Sequence, residues 1–111
     1  MSVPIAKSIG EETLALHFRA YSVPFEREYE FHPNRKWRFD FYLREHGIAV
    51  EVEGGMKKIG RHQREDGFEA DTRKYNAATI QGIKVLRYTT RQVTSGEAIN
   101  QILTAIGSPQ Q

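Results

Sequence analysis

Apolar residues recur along the chain with two periods, and the changes of period mark out its elements. Leu14, Phe18 and Tyr21 return at helical spacing, and Ser8 with Glu11 three residues later is a capping-box pattern, so a first helix is predicted from Glu11 to about Tyr21. Val23-Pro24 ends it. Phe25, Arg27, Tyr29 and Phe31 then alternate with Glu26, Glu28 and Glu30, as in an exposed or edge strand, and His32-Pro33-Asn34 reads as a turn. From Lys36 to Leu43 a second strand sets Trp37, Phe39, Phe41 and Leu43 on one face and Lys36, Arg38, Asp40 and Tyr42 on the other. Glu45-His46-Gly47 turns the chain, and Ile48 to Glu53 returns it.

This hairpin has a readable register. With Glu45 and His46 as the loop, Leu43 faces Ile48, Phe41 faces Val50 and Phe39 faces Val52, so every apolar residue meets an apolar one. The same register sets Asp40 opposite Glu51 and Arg38 opposite Glu53, away from the apolar stripe. A slip of one residue would put Asp40 against Val52 and scramble both faces, so the hydrophobic pattern itself brings the carboxylates together.

Gly54 to Asp66 has no apolar periodicity and reads as a mobile basic loop. Phe68 to Ile80 suits a second helix, with Phe68, Tyr75, Ala78 and Thr79 near one face and Gln81-Gly82 as its stop. Ile83 to Tyr88 reads as a strand, Ala98 to Ile106 as a last helix and 107–111 as a frayed tail. The order helix-β-β-β-helix-β-helix predicts an α/β fold, a mixed central sheet flanked by helices. A length of 111 residues accommodates one domain, with its core over about 8–106.

Composition narrows the chemistry. The chain has no cysteine, which removes disulfides, thiolate zinc sites and cysteine nucleophiles and leaves oxygen or histidine as metal ligands. A cytoplasmic setting is expected, without a membrane role: no apolar stretch approaches the roughly 18 residues of a span, and the first residues lack a secretory apolar segment. Net charge is only +2, but Arg35, Lys36 and Arg38 cluster, as do Lys57, Lys58, Arg61, His62 and Arg64, on either side of an acidic stretch. Such clusters can neutralise phosphates, although a charged loop is more often simply solvated.

Carboxylates alternating along a strand ordinarily mark its solvent face. That reading weakens when Asp40 pairs in register with Glu51, when Gly54-Gly55 follows, and when basic residues surround the acids. Asp40, Glu51 and Glu53, with Glu11 arriving from the first helix, form an oxygen-rich, thiol-free set suited to Mg²⁺ or Mn²⁺. Asp40 and Glu51 are the expected direct ligands, and the Val52 carbonyl between them could add a third oxygen. Glu53 could bind through water or act as a base. Glu11 reads equally well as a helix-capping acid favoured by the dipole, and Glu12, which points away from Leu14 and Phe18, is the alternate.

These residues resemble the PD-(D/E)XK nuclease superfamily: a glutamate in the first helix, Arg38-Phe39-Asp40-Phe41 on one strand and Glu51-Val52-Glu53-Gly54-Gly55 on the next. With Asp71, Lys74-Tyr75-Asn76, Gly82 and Val85-Leu86-Arg87, the resemblance extends over roughly 8–90, toward small phage and prophage endonuclease-like proteins and the Vsr-like and junction-resolvase-like branches. It implies a restriction-endonuclease-like core and Mg²⁺-dependent cleavage of DNA, with metal ligands at Asp40 and Glu51. Phe39 stands where the family usually has proline, and Glu53 where it usually has lysine, so the lysine's role of stabilising developing charge would pass to Lys57, Lys58 or Lys74. Lys74 with Asp71 is equally a surface i,i+3 pair.

The resemblance further implies that Arg38, Lys57, Lys58, Arg61, His62, Arg64 and Arg87 contact nucleic acid, with the basic loop clamping the backbone and Arg87 holding Glu53 or a phosphate. The expected activity is a DNA endonuclease, acting on branched or otherwise structured DNA. Specificity would come from shape, from a homodimer, or from phage or host replication, recombination or packaging proteins. The competing expectation is a non-catalytic nucleic-acid-binding module on the same scaffold, kept in view by the missing lysine.

Overall fold

The computed structural model describes residues 8–54 and 65–107. In chain order the elements are α1 (Ile9–Ala20), β1 (Glu26–Glu30), β2 (Arg38–Leu43), β3 (Ile48–Glu53), α2 (Glu65–Ile80), β4 (Lys84–Thr89), α3 (Thr90–Thr94) and α4 (Glu97–Ala105). The strands form one sheet in the order β1-β2-β3-β4. The first two pairings are antiparallel and β3-β4 is parallel, as a crossover through α2 requires. The fold is therefore α/β with a mixed sheet flanked by helices.

Local chemistry explains the element ends. Ser8 caps α1, its hydroxyl accepting from the Glu11 amide at 3.0 Å. Gly82, with φ +89, ends α2 in the left-handed conformation that glycine adopts without a Cβ penalty. Helix α2 starts at Glu65, inside the stretch expected to be loop, and Asp66 in its first turn suits the positive end of the helix dipole. The short α3 was not expected. Its sign is the capping box of Thr89 and Gln92, each side chain bonded to the other's backbone amide.

The sheet is buried on both faces. Against α1, α3 and α4 lies a core of Leu14, Phe18, Phe41, Leu43, Ile48, Val50, Val52, Val93, Ile99, Ile102 and Leu103. On the α2 side Phe31, Phe39, Tyr42, Ala49, Ala78 and Ile83 pack together, with Tyr75 and Val85 against them. Tyr42 thus belongs to a second core, not to the polar face expected for it.

The hairpin register is the expected one where the strands pair: Leu43 with Ile48, Tyr42 with Ala49 and Phe41 with Val50. It does not extend to Phe39 and Val52, which lie in the cores on opposite faces of the sheet. The alternation breaks at Asp40. Phe41 packs toward α1, where its ring meets Phe18 edge-on at 5.3 Å, whereas Phe39 packs toward α2, 6.1 Å from Tyr75. The same break occurs in β1. Arg27, paired with Phe41, reaches α1, while Tyr29, paired with Phe39, stacks on Tyr42 in the α2-side core. Between them Glu28 has φ +50, an uncommon conformation for a residue with a Cβ.

Helix α1 approaches the sheet at Gly10. A Cβ there would lie 2.8 Å from Val52 Cγ1 and 2.9 Å from Thr90 Oγ1. Gly10→Ala gains at most about 1 kcal/mol of helix propensity, less in a first turn, and incurs an overlap costing about 1–3 kcal/mol against a stiff β-branched neighbour. A net loss of about 1–2 kcal/mol is expected, read as a lower urea midpoint at unchanged m-value. An unchanged midpoint would mean that α1 can move off the sheet without loss.

Candidate metal and nucleic-acid site

Asp40 sits where the β2-β3 ladder stops. Beyond the Phe41-Val50 pair, the next amide of β3 on that side is that of Val52, and it donates to Asp40 Oδ2 at 2.8 Å. A carboxylate thus takes the place of a backbone carbonyl and is held between the two strands, close to the plane of the sheet.

Acidic groups converge on it from two sides. Carboxylate oxygens of Glu11, on α1, and Glu28, at the β1 kink, lie with one of Asp40 within 4.8 Å of one another. On the other side a cleft of about 310 Å³ is lined by Asp40, the β3 end from Glu51 to Gly54, Asp71, Lys74 and Tyr75 from α2, and Arg87 from β4. Burial pushes the Asp40 carboxyl up to about 7, with the charges of Glu11, Glu51 and Glu28 adding to the rise and the Val52 amide opposing it.

Cations compensate the surrounding acids. The Arg27 guanidinium lies 5.1 Å from the centre of the Phe41 ring and reaches Glu11 Oε1 at 3.4 Å and Glu12 Oε2 at 3.0 Å. Glu11 belongs to the acidic triplet and Glu12 does not. Lys74 Nζ donates to Glu51 Oε2 at 2.6 Å, and the Tyr75 hydroxyl donates to Glu51 Oε1. Both side chains of the Lys74-Glu51 pair are largely shielded, 16% and 15% exposed, so water screens it far less than a surface pair. Burial and the bond to Glu51 push the Tyr75 hydroxyl above its ordinary range, keeping it a donor. Arg87 Nε donates to Glu53 Oε2 at 2.7 Å while its guanidinium covers the Tyr75 ring at 4.6 Å.

The structure thus brings Asp40, Glu51, Val52, Glu53, Lys74 and Arg87 to one cleft, with Glu11 adjoining Asp40. Arg38 does not line the cleft and stands on the other flank, beside Glu28 of the acidic triplet. The register expected it opposite Glu53, but β2 has left β3 by that point, and Arg38 pairs instead with Glu28 and Glu30 of β1 at 3.7 and 3.4 Å. The partner of Lys74 is Glu51 on β3, not Asp71 one turn away. Lys57, Lys58, Arg61, His62 and Arg64, expected to contact nucleic acid, lie outside the described residues, as does 55–64 of the expected loop.

Sequence reasoning passed over two residues of the site. Glu28 read as one of three alternating exposed glutamates, and no strand pattern announces a left-handed kink. Tyr75 read as a core residue of α2, which its ring is; only its position beside Lys74 hinted that both could reach one partner.

No family model matches the chain, nor does any curated protein. Among solved structures it is similar to the catalytic domain of the homing endonuclease I-Bth0305I, with a TM-score of 0.63 over 88% of this chain and 92% of that one, at 18% identity. The likeness establishes a shared fold across nearly the whole of both chains. No described helix is long and apolar enough to cross a membrane.

The raised Asp40 pKa has a consequence for stability. The folded chain keeps a proton that the unfolded chain, with a carboxyl near 3.8, gives up, so this contribution to stability is full below about pH 4 and lost as pH rises through about 7. Asp40→Asn keeps an acceptor for the Val52 amide and removes the titration. A shift of this size is at most about 4 kcal/mol, and solvent screening of a partly exposed group reduces it to about 1–2 kcal/mol. The variant should match wild type near pH 4 and exceed its melting temperature increasingly up to pH 8. An advantage that is flat with pH would contradict the assignment.

Proposed function

We propose that this chain is a metal-dependent endonuclease of the PD-(D/E)XK type that hydrolyses DNA phosphodiester bonds, with Mg²⁺ or Mn²⁺ held at Asp40 and Glu51. The observation that carries this reading is the convergence of carboxylates on one half-buried aspartate whose proton is held to about pH 7, beside a cleft that also presents a lysine and an arginine. The donor set fits a hard divalent cation, since it consists of oxygen ligands that repel one another unless a cation offsets their charge.

The residues that would hold the ion are Asp40 and Glu51, with the Val52 carbonyl, which leaves β3 on the same side as the amide bonded to Asp40, and Glu11 or Glu28 from the other flank. Bound there, the ion supplies an acidified water and neutralises charge on the phosphoryl group. Lys74, delivered by α2, takes the place of the lysine absent at Glu53 and faces the developing negative charge. Glu53, steadied by Arg87, accepts a proton from the attacking water. Lys57, Lys58, Arg61, His62, Arg64 and Arg38 contact the DNA backbone in this reading, which the fold shared with a homing endonuclease catalytic domain supports. Branched or otherwise structured DNA is the proposed target, with phosphate contacts by the basic residues positioning it.

One observation favours a second reading, a DNA-binding module without catalysis: glutamate stands where the family has lysine, and it is already paired with Arg87. Incubation of supercoiled plasmid and a four-way junction with Mg²⁺ or Mn²⁺ separates the two. Cleavage by wild type is expected, reduced on the order of 100-fold or more in Asp40→Asn and Glu51→Gln. Binding by wild type with no cleavage in either ion would leave the second reading standing.

A further inference from the structure

We propose that Lys74 is an exchangeable counterion of Glu51 and Tyr75 its fixed anchor, so that a divalent ion entering the site displaces the ammonium and frees it to meet the substrate phosphate. The inference rests on the metal-centre reading above and assigns an order of events to it. Two neighbouring residues of α2 take one oxygen each of the same carboxylate, Tyr75 at Oε1 and Lys74 at Oε2.

Their mobilities differ. The Tyr75 ring is wedged between Phe39, 6.1 Å away, and the Arg87 guanidinium, and its hydroxyl moves only with the ring. Lys74 ends a flexible four-carbon stem, with its ammonium 4.7 Å from the centre of the Phe39 ring and 5.4 Å from that of Tyr75. Charge sets which partner leaves. A cation arriving at Glu51 repels the ammonium but not the neutral hydroxyl, and exchanging one cation for another keeps the carboxylate neutralised. Tyr75 meanwhile holds the carboxylate in its orientation.

Calorimetric titration of the full chain with Mn²⁺ alone, without DNA, tests the exchange. Lys74→Gln should bind Mn²⁺ roughly tenfold more tightly than wild type, Lys74→Arg should remain close to wild type, and Tyr75→Phe should bind severalfold more weakly. Lys84→Gln, at the exposed far end of β4, controls for the general loss of a positive charge and should change little. Should glutamine disturb the helix, Lys74→Met removes the charge while keeping the apolar stem over Phe39. Tighter Mn²⁺ binding by the Lys74 variants together with slower plasmid cleavage at saturating Mn²⁺ supports the exchange. Unchanged or weaker Mn²⁺ binding by them, while Asp40→Asn abolishes wild-type binding, overturns it and leaves the metal centre intact. Failure of wild type to bind Mn²⁺ removes the metal-centre reading, and this inference with it.

Discussion

The hydrogen bond from the Val52 amide to the Asp40 carboxylate is the point on which the rest of the molecule turns. An unpaired amide inside a sheet costs on the order of 1–3 kcal/mol, and here a side chain satisfies it where the backbone of β2 has turned away. Several features follow together. Side chains of β2 and β1 exchange faces at Asp40 and Glu28, Phe39 crosses to the α2 side, and a carboxyl is held in the sheet between both layers. A strand that kept its ladder would leave no such opening.

Cations flank Asp40 on both sides without reaching it. Arg27 answers the acids of α1, Arg38 answers Glu28 of β1, and Lys74 and Arg87 answer those of β3, but among the described residues no ion pair reaches Asp40 itself. Its response is to hold its proton to about pH 7. A group balanced in this way ionises once a cation is brought beside it, and carboxyl groups perturbed by burial and like charges cluster at functional sites. The strain at Glu28 fits the same picture: a φ of +50 costs on the order of 1 kcal/mol or more and places its carboxylate beside Asp40.

Helix α2 is fastened to the sheet differently from the other helices. Its one fully buried residue among those described is Ala78, so polar links carry much of the attachment. Lys74 and Tyr75 bind Glu51, and Gln81 donates to the Phe31 carbonyl at 3.1 Å. The other helices lie over a continuous apolar core. Glu51 thus anchors a helix that buries one described residue fully, whereas α1 is locked at Gly10 and keeps Glu11 in place.

Much of the fold is legible along the chain, because hydrophobic period is a local property. The alternation in Phe41 to Leu43 and Ile48 to Val50 determines the hairpin register, the apolar spacing of Leu14 and Phe18 or of Ile99, Ile102 and Leu103 determines helices, and the order of elements determines a mixed sheet. That register ends at Phe41 and Val50, one pair short of Asp40 and Glu51, which meet instead in the lining of the cleft beyond the end of the ladder. What only the tertiary structure decided is where alternation fails. Phe39, Asp40, Glu28 and Tyr75 take their places from a kink shared by two strands and from the helix that crosses above them, and no residue's own propensity encodes either. An apolar residue next to an acid satisfies the strand pattern with either face inward; the choice for Phe39 was made by α2, which came to lie on the sheet from 26 residues or more further along the chain.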